Sequence, residues 1–271
     1  MKNRHLQGFT LVELSITLVI IGALIGSVLY GQSLLDASKL QTVMTDVDSY
    51  ITAASNFRQT YQALPGDFSA ATTVWGTDSV GCPAGGGTSG TCNGNGDGTI
   101  YNTNSAGQAQ ETFLFWQHLR LAGMFTQNLS NQSGSGGVND AVIGKNVPAG
   151  SIKGTGFSVT WFGSIASGNG SYFTPTNPTY YGNIISLGGM HQSISGTIQY
   201  TITQAPILTP TQASQIDTKM DDGLPAYGKV LAYKKNSSIA HDCTTSDTES
   251  ASTYNVSSSM PYCTLIFLTG F

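Results

Sequence analysis

Positive charge is scarce in this chain: 11 Lys and Arg stand against 15 Asp and Glu, a formal net charge of -4 over 271 residues. A nucleic-acid interface needs clustered cations, so that class is excluded. Charge of either sign makes up only 10 % of the residues, while 39 % are hydrophobic. That is enough apolar material for a core, which excludes a solvated acidic tail. Catalytic signatures are missing too, with neither a zinc-protease HExxH nor a nucleophile-elbow GxSxG anywhere in the sequence. The nearest approach to a phosphate loop is Gly144-Lys145, where Asn146 replaces the hydroxyl residue and Asn139 the first glycine. His118, His191 and scattered acids such as Glu111 and Asp140 form no recognisable catalytic set. The chain is not expected to be an enzyme.

Charge is thinnest near the start. Between His5 and Asp36 the only charged side chain is Glu13, and Phe9 to Tyr30 is otherwise Leu, Val, Ile, Ala, Gly, Ser and Thr. About 20 such residues cross roughly 30 Å of hydrocarbon as a helix. Lys2 and Arg4 precede the run, so the positive-inside bias keeps Met1 to Gly8 in the cytoplasm and sends the rest of the chain outward. A cleaved secretory signal and a plain signal anchor are two readings of this segment. Both leave Glu13 unexplained, because a carboxylate inside a membrane helix costs on the order of 2.5 to 3.5 kcal/mol.

A third reading comes from similarity. Gly8-Phe9-Thr10-Leu11-Val12-Glu13-Leu14, following a short basic leader, resembles the processing site of type IV pilins and type II secretion pseudopilins. The resemblance implies that a prepilin peptidase cuts after Gly8 and methylates the new amine of Phe9, leaving the apolar helix on the mature protein. In that setting Glu13 gains a purpose. Helices stacked with an axial stagger bring its carboxylate to the Phe9 amine of a neighbouring subunit, and breaking such a buried pair costs roughly 3 to 5 kcal/mol.

Beyond Tyr30, Leu40, Val43, Val47, Tyr50, Ala54, Phe57, Tyr61 and Leu64 recur every three or four residues, a helical stripe that Pro65-Gly66-Asp67 is expected to stop. The predicted helix covers 9–64, about 84 Å long, with its membrane span ending near residue 31. Residues 1–8 are then a leader and 65–271 a globular head. In the head, helices are predicted over Glu111 to Ala122 and from Thr209-Pro210 to Gly223. Strands are predicted near Phe157 to Phe162, Asn183 to Leu187, Thr197 to Ile202, Lys229 to Tyr233 and Cys263 to Leu268. Thr77 to Asn104 reads as a structured loop and Ser130 to Gly137 as flexible. The expected class is α+β, a long helix packed on an antiparallel sheet with short accessory helices.

Ala63-Leu64-Pro65-Gly66-Asp67, Trp116-Gln117-His118-Leu119 and Ile216-Asp217-Thr218-Lys219-Met220-Asp221-Asp222-Gly223-Leu224-Pro225 resemble the larger pseudopilin-like proteins, which implies a pilin fold. A head of 207 residues is larger than major subunits usually carry, pointing to a minor or tip component. The implied partners are other pilin or pseudopilin subunits, the prepilin peptidase, and an inner-membrane assembly platform with its ATPase. The implied location is the bacterial inner membrane, crossed once with the head outside the cytoplasm, and after assembly a filament in the periplasm or at the cell surface. Whether that filament serves secretion, adhesion, motility or DNA uptake is left open by the residues. The alternative is an anchored exported binding protein whose head recognises a glycan or surface ligand through aromatics such as Tyr180, Tyr181 or Trp161.

Cys82, Cys92, Cys243 and Cys263 form an even set that favours disulfides in an exported chain. Three pairings are open. The local one joins Cys82 to Cys92 and Cys243 to Cys263, and the second of these loops resembles the C-terminal disulfide loop of many pilins. Asn93, Asn95 and Asp97 place oxygen side chains at alternate positions, followed by Gly98 and Ile100, like the start of a calcium loop. The twelfth position is Asn104, which excludes an EF-hand; Glu111 is the candidate closing ligand, and a plain Gly/Asn turn is the competing reading. Asp217, Asp221 and Asp222 read as a solvated helix end.

Overall fold

The computed structural model describes residues 10–163, 173, 182–190, 192–194, 197–200, 202–232 and 242–271. Helix α1 runs Leu11–Tyr61, 51 residues and about 76 Å. Its two halves meet different surroundings. Every large apolar side chain from Leu11 to Leu35 is exposed, Leu11 by 85 %. From Leu40 onward one stripe is buried, comprising Leu40, Val43, Val47, Tyr50, Ala54 and Phe57, the face that three-and-four spacing predicts.

The helix ends three residues before the expected Leu64. Gln62 turns left-handed (φ 53°) and its N–H bonds to Arg58 O at 2.9 Å, satisfying a terminal carbonyl. The chain then turns inward, and Leu64, Pro65, Gly66, Asp67 and Phe68 are all buried. Gly66 is required there: its φ is 88°, and a Cβ would lie 2.5 Å from Glu111 O.

Strands β1 (Gly156–Trp161), β2 (Asn183–Gly188), β5 (Val230–Ala232) and β6 (Leu265–Leu268) form one antiparallel sheet in the order β1-β2-β6-β5. A separate hairpin pairs β3 (Gln192–Ile194) with β4 (Thr197–Tyr200). The architecture is α+β. Register pairs Phe157 with Leu187, Val159 with Ile185, Ile185 with Phe267, and Val230 with Phe267, which puts one apolar row on one face. That face meets α1, since the Tyr50 and Phe157 rings lie 5.3 Å apart. The opposite face carries Ser158, Thr160 and Ser186 yet is buried as well. Two of these hydroxyls are matched by covering segments: Ser186 Oγ lies 2.9 Å from Thr203 Oγ1, and Thr160 Oγ1 donates to Ile100 O at 3.2 Å.

Strands β1 and β2 fall within a residue of their expected bounds, whereas β4, β5 and β6 are shorter than expected. Ile202 lies beyond β4 with φ 48°, Cys263 bridges Leu208 instead of joining β6, and Tyr233 is outside the described residues. Among the described residues the head also carries the α-helices α2 (Ala71–Trp75), α3 (Glu111–Leu121) and α4 (Pro210–Met220). Helix α4 opens with a reciprocal cap in which Thr209 and Gln212 each bond the other's backbone.

The centre of the core is aromatic. Tyr50 meets Trp116 edge-on at 4.9 Å, and Phe57 contacts Tyr61, Phe68 and Trp75 while stacking 6.3 Å from His118. Phe57 is fully buried where α1, α2 and α3 meet. Phe57→Ala is therefore expected to lower unfolding stability by about 3 to 5 kcal/mol, measured by denaturant titration of the full chain; a loss below about 1 kcal/mol would mean that this face of α1 is not a packed seam.

Candidate assembly site and the loops of the head

Gly8 and Phe9 lie outside the described residues. Glu13 sits in the first turn of α1 and already has a partner. Its Oε2 accepts from Thr10 N and from Thr10 Oγ1, both at 2.8 Å, while Thr10 Oγ1 accepts from Glu13 N at 3.2 Å. This is a capping box, which satisfies otherwise unpaired donors at the start of the helix. Sequence reasoning missed it, although Thr10-x-x-Glu13 is its signature. Gly22 and Gly26, a small pair one turn apart, meet nothing within 4 Å of an added Cβ. Among the described residues they accommodate no close approach.

In the head, Cys82 is joined to Cys92 and Cys243 to Cys263, 10 and 20 residues apart. The first bridge steadies a segment whose amides point inward at buried acceptors. Asp67 accepts from Gly96 N (2.6 Å), Asp97 N (3.0 Å) and Gly98 N (2.9 Å). Glu111 accepts from Asn95 N at 2.9 Å and Tyr101 N at 3.2 Å. The oxygens considered for calcium serve the chain's own donors: Asn93 Oδ1 takes Thr72 N, Asn95 Oδ1 takes Asp97 N, and Asp97 Oδ1 takes Thr99 N and its hydroxyl. Burial pushes the Glu111 carboxyl up to about 7, opposed by its two amide bonds and assisted by the nearby Asp67 and Asp97 charges.

Ser130 to Gly137, flexible by composition, includes buried anchors. Asn131 is fully buried, its Oδ1 accepting from Gly86 N at 2.7 Å and its Nδ2 donating to Gln117 Oε1 at 3.1 Å. His118 is likewise fully buried. Its Nδ1 accepts from Gly66 N at 2.9 Å, so Nε2 carries the proton and donates to Cys92 O at 3.0 Å. Burial pulls this imidazole down to about 4, and it is neutral at physiological pH. It clips the turn after α1 to the first disulfide loop.

Asp217 is a correction to the solvated-helix-end expectation. It is fully buried, with Tyr254 from the second disulfide loop donating to its Oδ2 at 2.8 Å and Gly223 N reaching Oδ1 at 3.3 Å. Asp221 accepts from Lys229 N and Val230 N, and Asp222 accepts from Leu224 N. Burial, with the Asp222 and Asp221 charges, pushes Asp217 up to about 7 against the Tyr254 and Gly223 bonds. Its partner lies 37 residues away, a contact that no local pattern announces.

Residues 3–29 match the prokaryotic N-terminal methylation motif. This is the prepilin-type signal of type IV pilins and pseudopilins, and together with the long apolar helix it fits a membrane-anchored, pilin-like exported subunit that is processed by prepilin peptidase and assembles with others of its kind. No curated protein and no solved structure matches the chain.

The Asp217 carboxyl has a higher value in the folded chain than in the unfolded one, so the stability it lends is complete below about pH 4 and is lost as pH rises through 7. Asp217→Asn keeps an oxygen for Tyr254 and removes that loss. Between pH 5 and pH 8 the unfolding free energy of the variant is expected to gain roughly 2 to 3 kcal/mol on the native chain; a difference independent of pH would show that Asp217 ionises freely in the fold.

Proposed function

We propose that the chain is a structural subunit, minor or at the tip, of a type II secretion pseudopilus or type IV pilus. In this reading a prepilin peptidase cuts between Gly8 and Phe9 and methylates the Phe9 amine. An inner-membrane platform and its cytoplasmic ATPase then draw the subunit out of the bilayer, where it stood with its head outside the cytoplasm. The observation that carries the reading is one continuous helix with the methylation motif at its start, an unburied apolar half, and a buried half that locks it to the head. Inside a filament, the apolar halves of neighbouring helices replace lipid as the covering of Leu11 to Leu35. The size of the head supports the minor or tip position, because a bulky head stacks less readily along a shaft.

The Glu13 carboxylate has two roles to reconcile. In the single chain it completes the cap with Thr10, and in the filament it is the counter-charge for the amine of an adjacent Phe9. Glutamine preserves a capping box but carries no charge. Glu13→Gln and Glu13→Ala are therefore both expected to be cleaved normally and both to fail in assembly, scored by cross-linking of subunits in sheared filament fractions. Normal incorporation of Glu13→Gln would reduce the residue to a cap and remove the charge pair from the mechanism. N-terminal sequencing separates this reading from an anchored binding protein: methylated Phe9 is expected, whereas an intact leader or a cut near Gly31 would overturn it.

A further inference from the structure

A polar cavity of about 430 Å³ opens in the head between the Gly86–Thr88 stretch of the first disulfide loop, the last turn of α3 and residues 128–145. Two cations line it, Arg120 and Lys145. The one ion pair among the described residues is Lys39 with Asp36, so neither cation is neutralised by a neighbouring carboxylate. Arg120 Nε is buried without a hydrogen-bond partner among the described residues. A buried donor left unpaired is costly, so this side chain is held beside the cavity at the expense of one hydrogen bond.

The wall behind these cations is fixed before any ligand arrives. Asn131 ties Gly86 to Gln117 of α3, Asp78 accepts from Gly87 N at 3.0 Å, and the Cys82–Cys92 bridge closes the loop that carries both glycines. Asp78 is buried, with its oxygens taken by Val80, Gly87 and Asn131, and it does not line the cavity.

The amides of the two glycine-bearing turns are already in use. The N–H groups of Gly86, Gly87 and Thr88 bond to Asn131, Asp78 and Ser79, and those of Gly144 and Lys145 bond to Val147 O and Val142 O. A phosphate loop works through a nest of free amides in a glycine turn, and neither glycine turn here keeps them free, so the anion is met by side chains. What remains is a pair of cationic side chains beside the neutral hydroxyl and amide groups of Thr88, Asn128 and Ser130. A planar carboxylate suits the guanidinium fork, and hydroxyls suit the neutral groups.

We propose that this cavity binds a carboxylate-bearing sugar, the uronic acid unit of an acidic polysaccharide, with its carboxylate on Arg120 and Lys145 and its ring hydroxyls toward Thr88, Asn128 and Ser130. The site stands on the head alone and does not depend on filament assembly.

The test is calorimetric titration of the full chain in a polyoxyethylene detergent with trigalacturonate, and in separate arms with maltotriose and inorganic phosphate. Trigalacturonate is expected to bind, maltotriose and phosphate not to bind at the same concentrations, and Arg120→Gln and Lys145→Gln each to weaken binding about tenfold, the loss of one charge-assisted hydrogen bond. Lys145 is exposed, so its variant keeps the fold and decides the matter even if Arg120→Gln does not. Equal binding of maltotriose, binding of phosphate without trigalacturonate, no binding at all, or trigalacturonate binding indifferent to Lys145→Gln would each overturn the proposal.

Discussion

One helix is required to satisfy two apolar environments. Burial removes its lower stripe, from Leu40 to Phe57, from water inside the head, whereas 15 large apolar residues from Leu11 to Leu35 have no covering within the chain. At roughly 25 cal/mol per Å² of apolar surface, such an array in water would rival the stability of a whole domain. It must be met by lipid, by other helices, or by each in turn. Lipid and packed helices are both apolar, so a subunit can pass from one to the other without a large hydrophobic penalty.

The head solves a different problem. Much of it is Gly, Ser, Thr and Asn, which supply little area to bury, and its interior is accordingly held by polar groups with their partners built in. Asp78 holds an amide of the first disulfide loop, Asp67 and Glu111 gather amides of the segment that follows it, His118 clips that loop to the turn after α1, and Asp217 receives the hydroxyl of Tyr254 from the second loop. Removing one partner strands the other, so each of these contacts contributes more to specifying the fold than its net hydrogen-bond energy suggests. Two short disulfide loops limit what the unfolded chain can explore in those same segments.

Acids held in this way are balanced between competing effects. Glu111 and Asp217 are both pushed up by burial and pulled back by the N–H or O–H groups they serve, whereas burial alone dominates at His118 and keeps it neutral. The two carboxyls lend stability that acidification below 7 restores, while the imidazole lends stability that acidification below its unfolded value of about 6.5 takes away. Their opposition limits the net response of the head to mild acid.

The sequence by itself determined the long helix, its division into an apolar and an amphipathic half, the motif ahead of Glu13, the α+β class and the approximate positions of most strands. Those features depend on periodicity and composition, which are local. Even the cap by Thr10 was available in four consecutive residues. Only the tertiary structure decided that Gln62 ends α1, that Asn131, His118 and Asp217 are interior anchors, that the oxygens near Asp97 face amides, and that Arg120 and Lys145 share a cavity. The three interior anchors depend on groups 14 to 53 residues apart in the chain finding one another. A polar residue carries no mark of its future partner: Asn, His and Asp look solvated in sequence until folding supplies the group that replaces water.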